Sequence, residues 1–132
     1  MAIQYSVAVR NAQLDALETT VSTAPILTIR TGAAPADCAT ANSGTVLATL
    51  TLPSDWMAAA ASGAKAKAGT WQDASADASG TTGHFRIHES TATTCHMQGT
   101  CSTTGDLDTD TDTVTAGQSF TVNTFTITAG NA

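Results

Sequence analysis

"SVAVRNAQLDALETTVSTAPILTIRTG", residues 6 to 32, contains the change of period on which the fold class turns. Up to Val21, the apolar residues Val7, Leu14, Leu17 and Val21 recur at helical spacing, and Arg10, Asp15 and Glu18 are left for a wetter face. Ser6 stands where a hydroxyl can accept from a free amide of the first turn. Thr19, Thr20, Ser22 and Thr23 are poor helix formers and Pro25 ends the run, so the spacing predicts one helix over roughly residues 6–20. Beyond Pro25, "ILTIR" begins a period of two.

That period holds for the rest of the chain. "AAPADCATANSG" (33–44) reads as a loop through its Pro, Asp, Asn and Gly. "TVLATLTL" (45–52) puts Val46, Ala48 and Leu50 on one face and Leu47 on the other, which predicts a strand covered on both sides for part of its length. "PSDWMAAAASG" (53–63) predicts one short helical turn, with Ser54 as cap and Gly63 as stop. "AKAKAGTWQDASAD", "GHFRIHES" and "TCHMQGTC" alternate. In "QSFTVNTFTITAG" (118–130) the apolar set shifts from Phe120 and Val122 to Phe125 and Ile127, which predicts a bulge near Asn123. Short strands between Gly, Ser and Asp turns point to an all-β fold with one N-terminal helix, an antiparallel β-sandwich of jelly-roll type. The expected organisation is a single domain, with an arm and helix over residues 1–24 and the sandwich over 25–132.

Composition narrows the function. A chain of 132 residues supports one core, and its charged fraction of 12% is about half the usual share. A formal charge of −6 with five Lys and Arg leaves no basic footprint, so nucleic acid is not an expected partner. No apolar run reaches the ~18 residues of a membrane span, and no cationic start precedes an apolar core as in a secretory signal. Cys38, Cys95 and Cys101 cannot all pair within one chain, which fits reduced thiols and folding in a cytoplasm. The Thr-rich, Lys-poor make-up is nevertheless of the kind common outside cells.

Three stretches invite a chemical reading. "HFRIHESTATTCHMQGTC" (84–101) holds every histidine and two cysteines, the ligand types of zinc. On a strand, His84, Arg86 and His88 share one face, so a cation stands between the two imidazoles; Cys95 and His96 point to opposite sides; and no Cys-x-x-Cys pairing occurs. The expectation is therefore no metal and no cofactor, with His84 and His88 lining a solvated or partner-facing surface and Cys95 and Cys101 reduced. "DLDTDTDTVTAG" (106–117) alternates acids as a calcium loop does, but Thr111 and Gly117 occupy the places of the EF-hand Gly and Glu. An edge strand or turn with acids in water is expected, and calcium binding of another kind is the alternative for Asp106–Asp112. Cys38 beside Asp37 is expected to have a raised thiol pKa. Trp56 and Trp71 are expected in the core instead of stacked on sugars. No nucleophile elbow, phosphate loop or H-E-x-x-H occurs, so no catalytic residue is named and no enzyme is expected.

"ILTIRTGAAPADCATANSGTVLATLTLPSDWM" (26–57), "GTWQDASADASGTTGHFRIHES" (69–90) and "AGQSFTVNTFTITAGNA" (116–132), with "VAVRNAQLDALET" near the N-terminus, resemble a family of small tailed-phage virion structural proteins. The Asp–Thr run and Cys101 depart from its pattern. The resemblance implies a virion component assembled in the host cytoplasm, and a small acidic β-domain of that kind suits a capsid decoration (cement) protein. Its partners would be the major capsid protein and further copies of itself, as a homo-oligomer. A tail or fibre component that binds a host surface is the alternative, and a metal-dependent enzyme ranks last. Ile3, Tyr5 and Val7 are the expected contact residues, apolar side chains ahead of the domain; the competing expectation has them packing on their own sandwich.

Overall fold

The computed structural model describes residues 3–130. Ser6 takes extended backbone and its hydroxyl accepts from the Val9 amide at 3.2 Å, starting helix α1 (Val7–Val21) within a residue of the expected place. The Thr19 and Thr20 hydroxyls donate back to the Asp15 and Ala16 carbonyls, which keeps these poor helix formers in the last turns. The chain leaves the helix at Ser22, where φ is 73°, and the Ser22 carbonyl accepts from Trp56 Nε1–H at 3.0 Å.

Leu14 and Val21 are buried and Leu17 packs against the core, while the face expected to be wetter is partly exposed and also bonded to the rest of the domain. Arg10 Nη2 donates to the Ser62 carbonyl, the Asn11 side chain accepts from the Gly63 amide, and Asp15 accepts from the Ala60 amide. Asp15 and Glu18 each approach Lys65 Nζ at 2.8 Å, and the Lys65 side chain is 1% exposed. Burial works to lower the Lys65 pKa, but its bonds to the two carboxylates outweigh that and the net direction is up. The Lys65 bond, followed by the Ala60 amide, holds Asp15 below its ordinary value. The helix is thus docked by a polar seam that helical periodicity alone reads as solvent-facing.

The strands follow as β1 (Ile26–Arg30), β2 (Val46–Thr51), β3 (Ala64–Ala66), β4 (Gln72–Asp73), β5 (Gly80–Thr81), β6 (His84–His88), β7 (Cys95–Ser102), β8 (Leu107–Thr109), β9 (Thr113–Val114) and β10 (Phe120–Thr128). The larger sheet runs β2-β1-β6-β7-β8-β10-β3, with β4 also paired to β10, and β5 pairs with β9. The fold is mainly β with one N-terminal helix. Its sheet is mixed, not purely antiparallel, because β7 and β8 run parallel through Cys101–Leu107 and Ser102–Asp108.

The sheet curls on itself. Strands β6 and β10 have β7 and β8 between them, which in a flat sheet means a separation of ~14 Å. The Phe85 and Phe125 rings nevertheless meet edge-on at a centroid distance of 5.6 Å. The ladder continues from Phe125 to Trp71 at 5.6 Å and from Trp71 to Trp56 at 5.9 Å. Both tryptophans are fully buried, as expected, and Trp71 Nε1–H donates to the Ala68 carbonyl. A Cβ at Gly99 would run into the Phe85 ring, so close approach of that ring to β7 requires glycine there. The outer edge of β2 is covered: its Thr49 amide donates to Asp73, and its Leu47 carbonyl accepts from the Asp77 amide.

Two local expectations hold. Leu47 and Ala48, on opposite faces of β2, are both fully buried. The register of β10 slips between Val122 and Thr124, the bulge expected at Asn123. One does not. Residues 53–63 form no helical turn: Ala58 donates to the Ala66 carbonyl, Met57 bridges Lys67, and Ala61 bridges Ala64 around Ser62 and Gly63, with φ of 53° and 75°. Those angles make a two-residue hairpin turn, and pairing with β3 overrides the helical preference of the alanines.

Lys65→Ala is expected to destabilise the protein by ~2 kcal/mol, because it unties the helix and opens a cavity while leaving the carboxylates partly in water. Urea denaturation followed by far-UV circular dichroism checks this, and Lys65→Met, which keeps the apolar stem, is expected to lose less.

Candidate functional site

Ile3, Tyr5 and Val7 stand on the surface at 76%, 44% and 50% exposure, and Val9 joins them at 44%. Residues 3–6 belong to no regular element and run into the first turn of α1, which carries Val7 and Val9. None of the four belongs to the buried core. They are the exposed large apolar residues of the described chain, gathered at one end. Val9 shares the exposure of the three expected residues and was not among them.

The second constellation is buried. Cross-strand register puts Thr28, Arg30, His84, Arg86 and His88 on one face of β1 and β6, while Leu27, Ile29, Phe85 and Ile87 line the other. All five residues of β6 are buried, so His84 and His88 do not line a solvated surface as expected. The cover is the loop of residues 32–44, whose neck is closed by Thr31 and Thr45 bonding to each other. The polar face holds the loop by its carbonyls. His84 Nδ1 donates to the Gly32 carbonyl at 2.9 Å, Gln98 to Pro35 at 2.7 Å, and Arg30 to Ser43 at 3.4 Å. Arg86 does most: Nη2 donates to the Asp37 and Cys38 carbonyls, Nη1 to the Thr40 carbonyl and Asn42 Oδ1, and Nε to Cys95 Sγ at 3.2 Å. All of its donor nitrogens are engaged, so this cation is a clamp with nothing left over for an anionic ligand.

Cations crowded on that face oppose one another. Burial, then the Arg86 charge, lowers the Arg30 pKa. Burial, then Arg86 and Arg30, lowers that of His88, with Glu89 opposing. Glu89 itself lies well below the usual carboxylate range because the Thr91 and Thr93 hydroxyls and the Thr94 amide bond to it. The Cys38 thiol is pushed up to about 11, first by burial and then by Cys95, with Arg86 opposing. The direction matches expectation, but the cause is not the neighbouring Asp37 charge. Burial likewise pushes the Cys101 thiol up to about 12.

The acidic run is also absorbed by structure. Asp106 accepts from the Thr100 amide and hydroxyl, Asp112 from those of Thr103, Asp108 from the Thr124 hydroxyl, and Asp110 from the Thr121 amide. These acids turn to different partners, and Asp106, Asp110 and Asp112 are exposed to water as expected, but β8 lies between β7 and β10 and is not an edge strand. Among the described residues no three His, Cys, Asp or Glu side chains are grouped as metal ligands. An open groove of about 520 Å³ lies between α1 and residues 54–59, lined by Asp15, Glu18, Asp55 and the paired Lys65. No described helix is long and apolar enough to cross a membrane. Comparison with family models, with curated proteins and with solved structures finds no match.

Arg86→Met is expected to cost ~3 kcal/mol or more, since it leaves several loop carbonyls without donors, and to speed amide exchange in residues 32–44. Arg86→Lys is expected to recover little, because an ammonium lacks the planar fork; hydrogen exchange by mass spectrometry reads both.

A lowered His88 pKa means that the unfolded chain binds the proton more readily, so this contribution to stability is present above the ordinary histidine pKa of ~6.5 and is lost as pH falls below it. The melting temperature is expected to drop by a few degrees between about pH 7 and pH 5.5. In His88→Gln that segment of the melting-temperature profile should be flatter.

Proposed function

We propose that the chain is a structural protein of a tailed-phage virion, a decoration protein that sits on the head and bridges capsid subunits. The observation that carries this is the exposed set Ile3, Tyr5, Val7 and Val9 at one end of a domain whose cations are otherwise largely engaged internally. A contact built from it is apolar and backbone-mediated, not ionic, and it serves the major capsid protein and self-association alike. The stretches over residues 26–57, 69–90 and 116–132 support the same reading by their resemblance to small virion proteins. The curl that brings Phe85 onto Phe125 supports a sandwich-like closure of the sheet, here read as a variant of the jelly-roll architecture with one parallel pair.

Removing residues 1–5 is expected to leave the domain folded, because Ile3 and Tyr5 lie outside the core, and to abolish binding to DNA-free capsids. Cosedimentation with capsids measures it, with circular dichroism as the folding control. Full occupancy by the truncated protein would remove the arm from the contact. Image reconstruction of particles should show hundreds of copies on the shell; a handful at the tail would replace decoration by a tail role.

A further inference from the structure

Three thiols are present, and their surroundings differ. Cys101 is buried, whereas Cys38 and Cys95 are partly accessible. Cys95 sits opposite His88 in the β6–β7 register, so its side chain rises from the sheet on the face that the 32–44 loop covers. Cys38 comes down from that loop. One guanidinium holds both residues, since Arg86 Nε donates to Cys95 Sγ at 3.2 Å and Arg86 Nη2 to the Cys38 carbonyl at 2.9 Å. The Cys95 thiol itself donates to the Met97 carbonyl at 3.3 Å. Both line a polar cavity of about 150 Å³, together with Asn42, His88 and Thr93.

We propose that Cys38 and Cys95 are an oxidisable dithiol, which a low-molecular-mass disulfide such as oxidised glutathione converts into an intramolecular bond that ties the 32–44 loop to β7. One cysteine, as thiolate, attacks a sulfur of oxidised glutathione, forms a mixed disulfide and expels a glutathione thiolate. The other cysteine, as thiolate, attacks the protein-side sulfur, forms the Cys38–Cys95 bond and expels the second glutathione. Two electrons pass from the protein pair to glutathione disulfide, and the two cysteine protons end on the two glutathione thiols. The loop that Arg86 holds by hydrogen bonds then acquires a covalent anchor at the same place. Because Cys38 is held largely as the thiol near neutrality, the exchange runs faster as pH rises toward 11. This inference does not depend on a virion role.

The test treats the folded, reduced full chain with oxidised glutathione at about pH 8, then counts thiols, measures intact mass and maps peptides. Two of the three thiols should disappear, the mass should fall by two hydrogens, and a linked pair of peptides should join Cys38 to Cys95. The melting temperature should rise by ~10 °C, reversibly with dithiothreitol, as a cross-link closing a long chain segment implies. Cys38→Ser and Cys95→Ser should each abolish the rise, whereas Cys101→Ala should keep it. Three thiols surviving in the folded protein, stable glutathione adducts without the internal bond, or a link to Cys101 would each overturn the proposal. If Cys101→Ala does not fold, the peptide map of the unsubstituted chain decides by itself.

Discussion

Arg86 is a fully buried cation without a carboxylate partner: the ion pairs found among the described residues involve Lys65 and His96 instead. Stripping a guanidinium of water costs several kcal/mol, and carbonyl dipoles have to replace what water supplied. The loop over residues 32–44 furnishes them, and in return its backbone acquires donors that no strand could offer. Cation and loop are each untenable without the other. Their mutual satisfaction lets an irregular segment cover a sheet face that carries two arginines and two histidines.

The sheet β1–β6–β7 therefore separates two interiors of different character. On one side Leu27, Ile29, Phe85 and Ile87 join the aromatic ladder, where burial of apolar area supplies the stability. On the other side directional bonds fix one arrangement of the loop. The helix is attached by the same logic, with Lys65 between Asp15 and Glu18 beside a modest apolar contact through Leu14, Leu17 and Val21. In a chain with so few charges, those present serve mainly as internal fasteners.

What was legible in the sequence was local. The Ser6 cap, the stop before Pro25, the two-sided burial at Leu47 and Ala48 and the bulge at Asn123 all follow from side-chain periods over a few residues, and the structure has each of them. What escaped depends on distant partners. The parallel pairing of β7 with β8 requires knowing where Leu107 returns, and the alanines of residues 58–61 become extended only because β3 lies beside them. His84 and His88 carry no local mark of burial, since the loop that covers them lies more than 40 positions earlier in the chain, as in the bond from Arg86 to Thr40. The same holds for Cys38 and Cys95, which line one cavity although spacing alone treats them as two unrelated thiols.

The internal use of cations also bears on how the folded domain meets digestive enzymes of trypsin type, which cut after Lys and Arg. The chain has five such residues: Arg10, Arg30, Lys65, Lys67 and Arg86. Arg30 and Arg86 lie inside paired strands beneath the loop, Lys65 is sealed by α1, and Arg10 is within the helix with its guanidinium on Ser62. A protease must draw about ten residues of extended chain into its cleft, so such sites open only with the fold. Lys67 lies just past a short strand and is partly exposed, and even its amine is turned onto the Gly69 carbonyl. A domain fastened in this way hides its own cleavage points, a useful property for any protein that has to persist in a protease-rich medium.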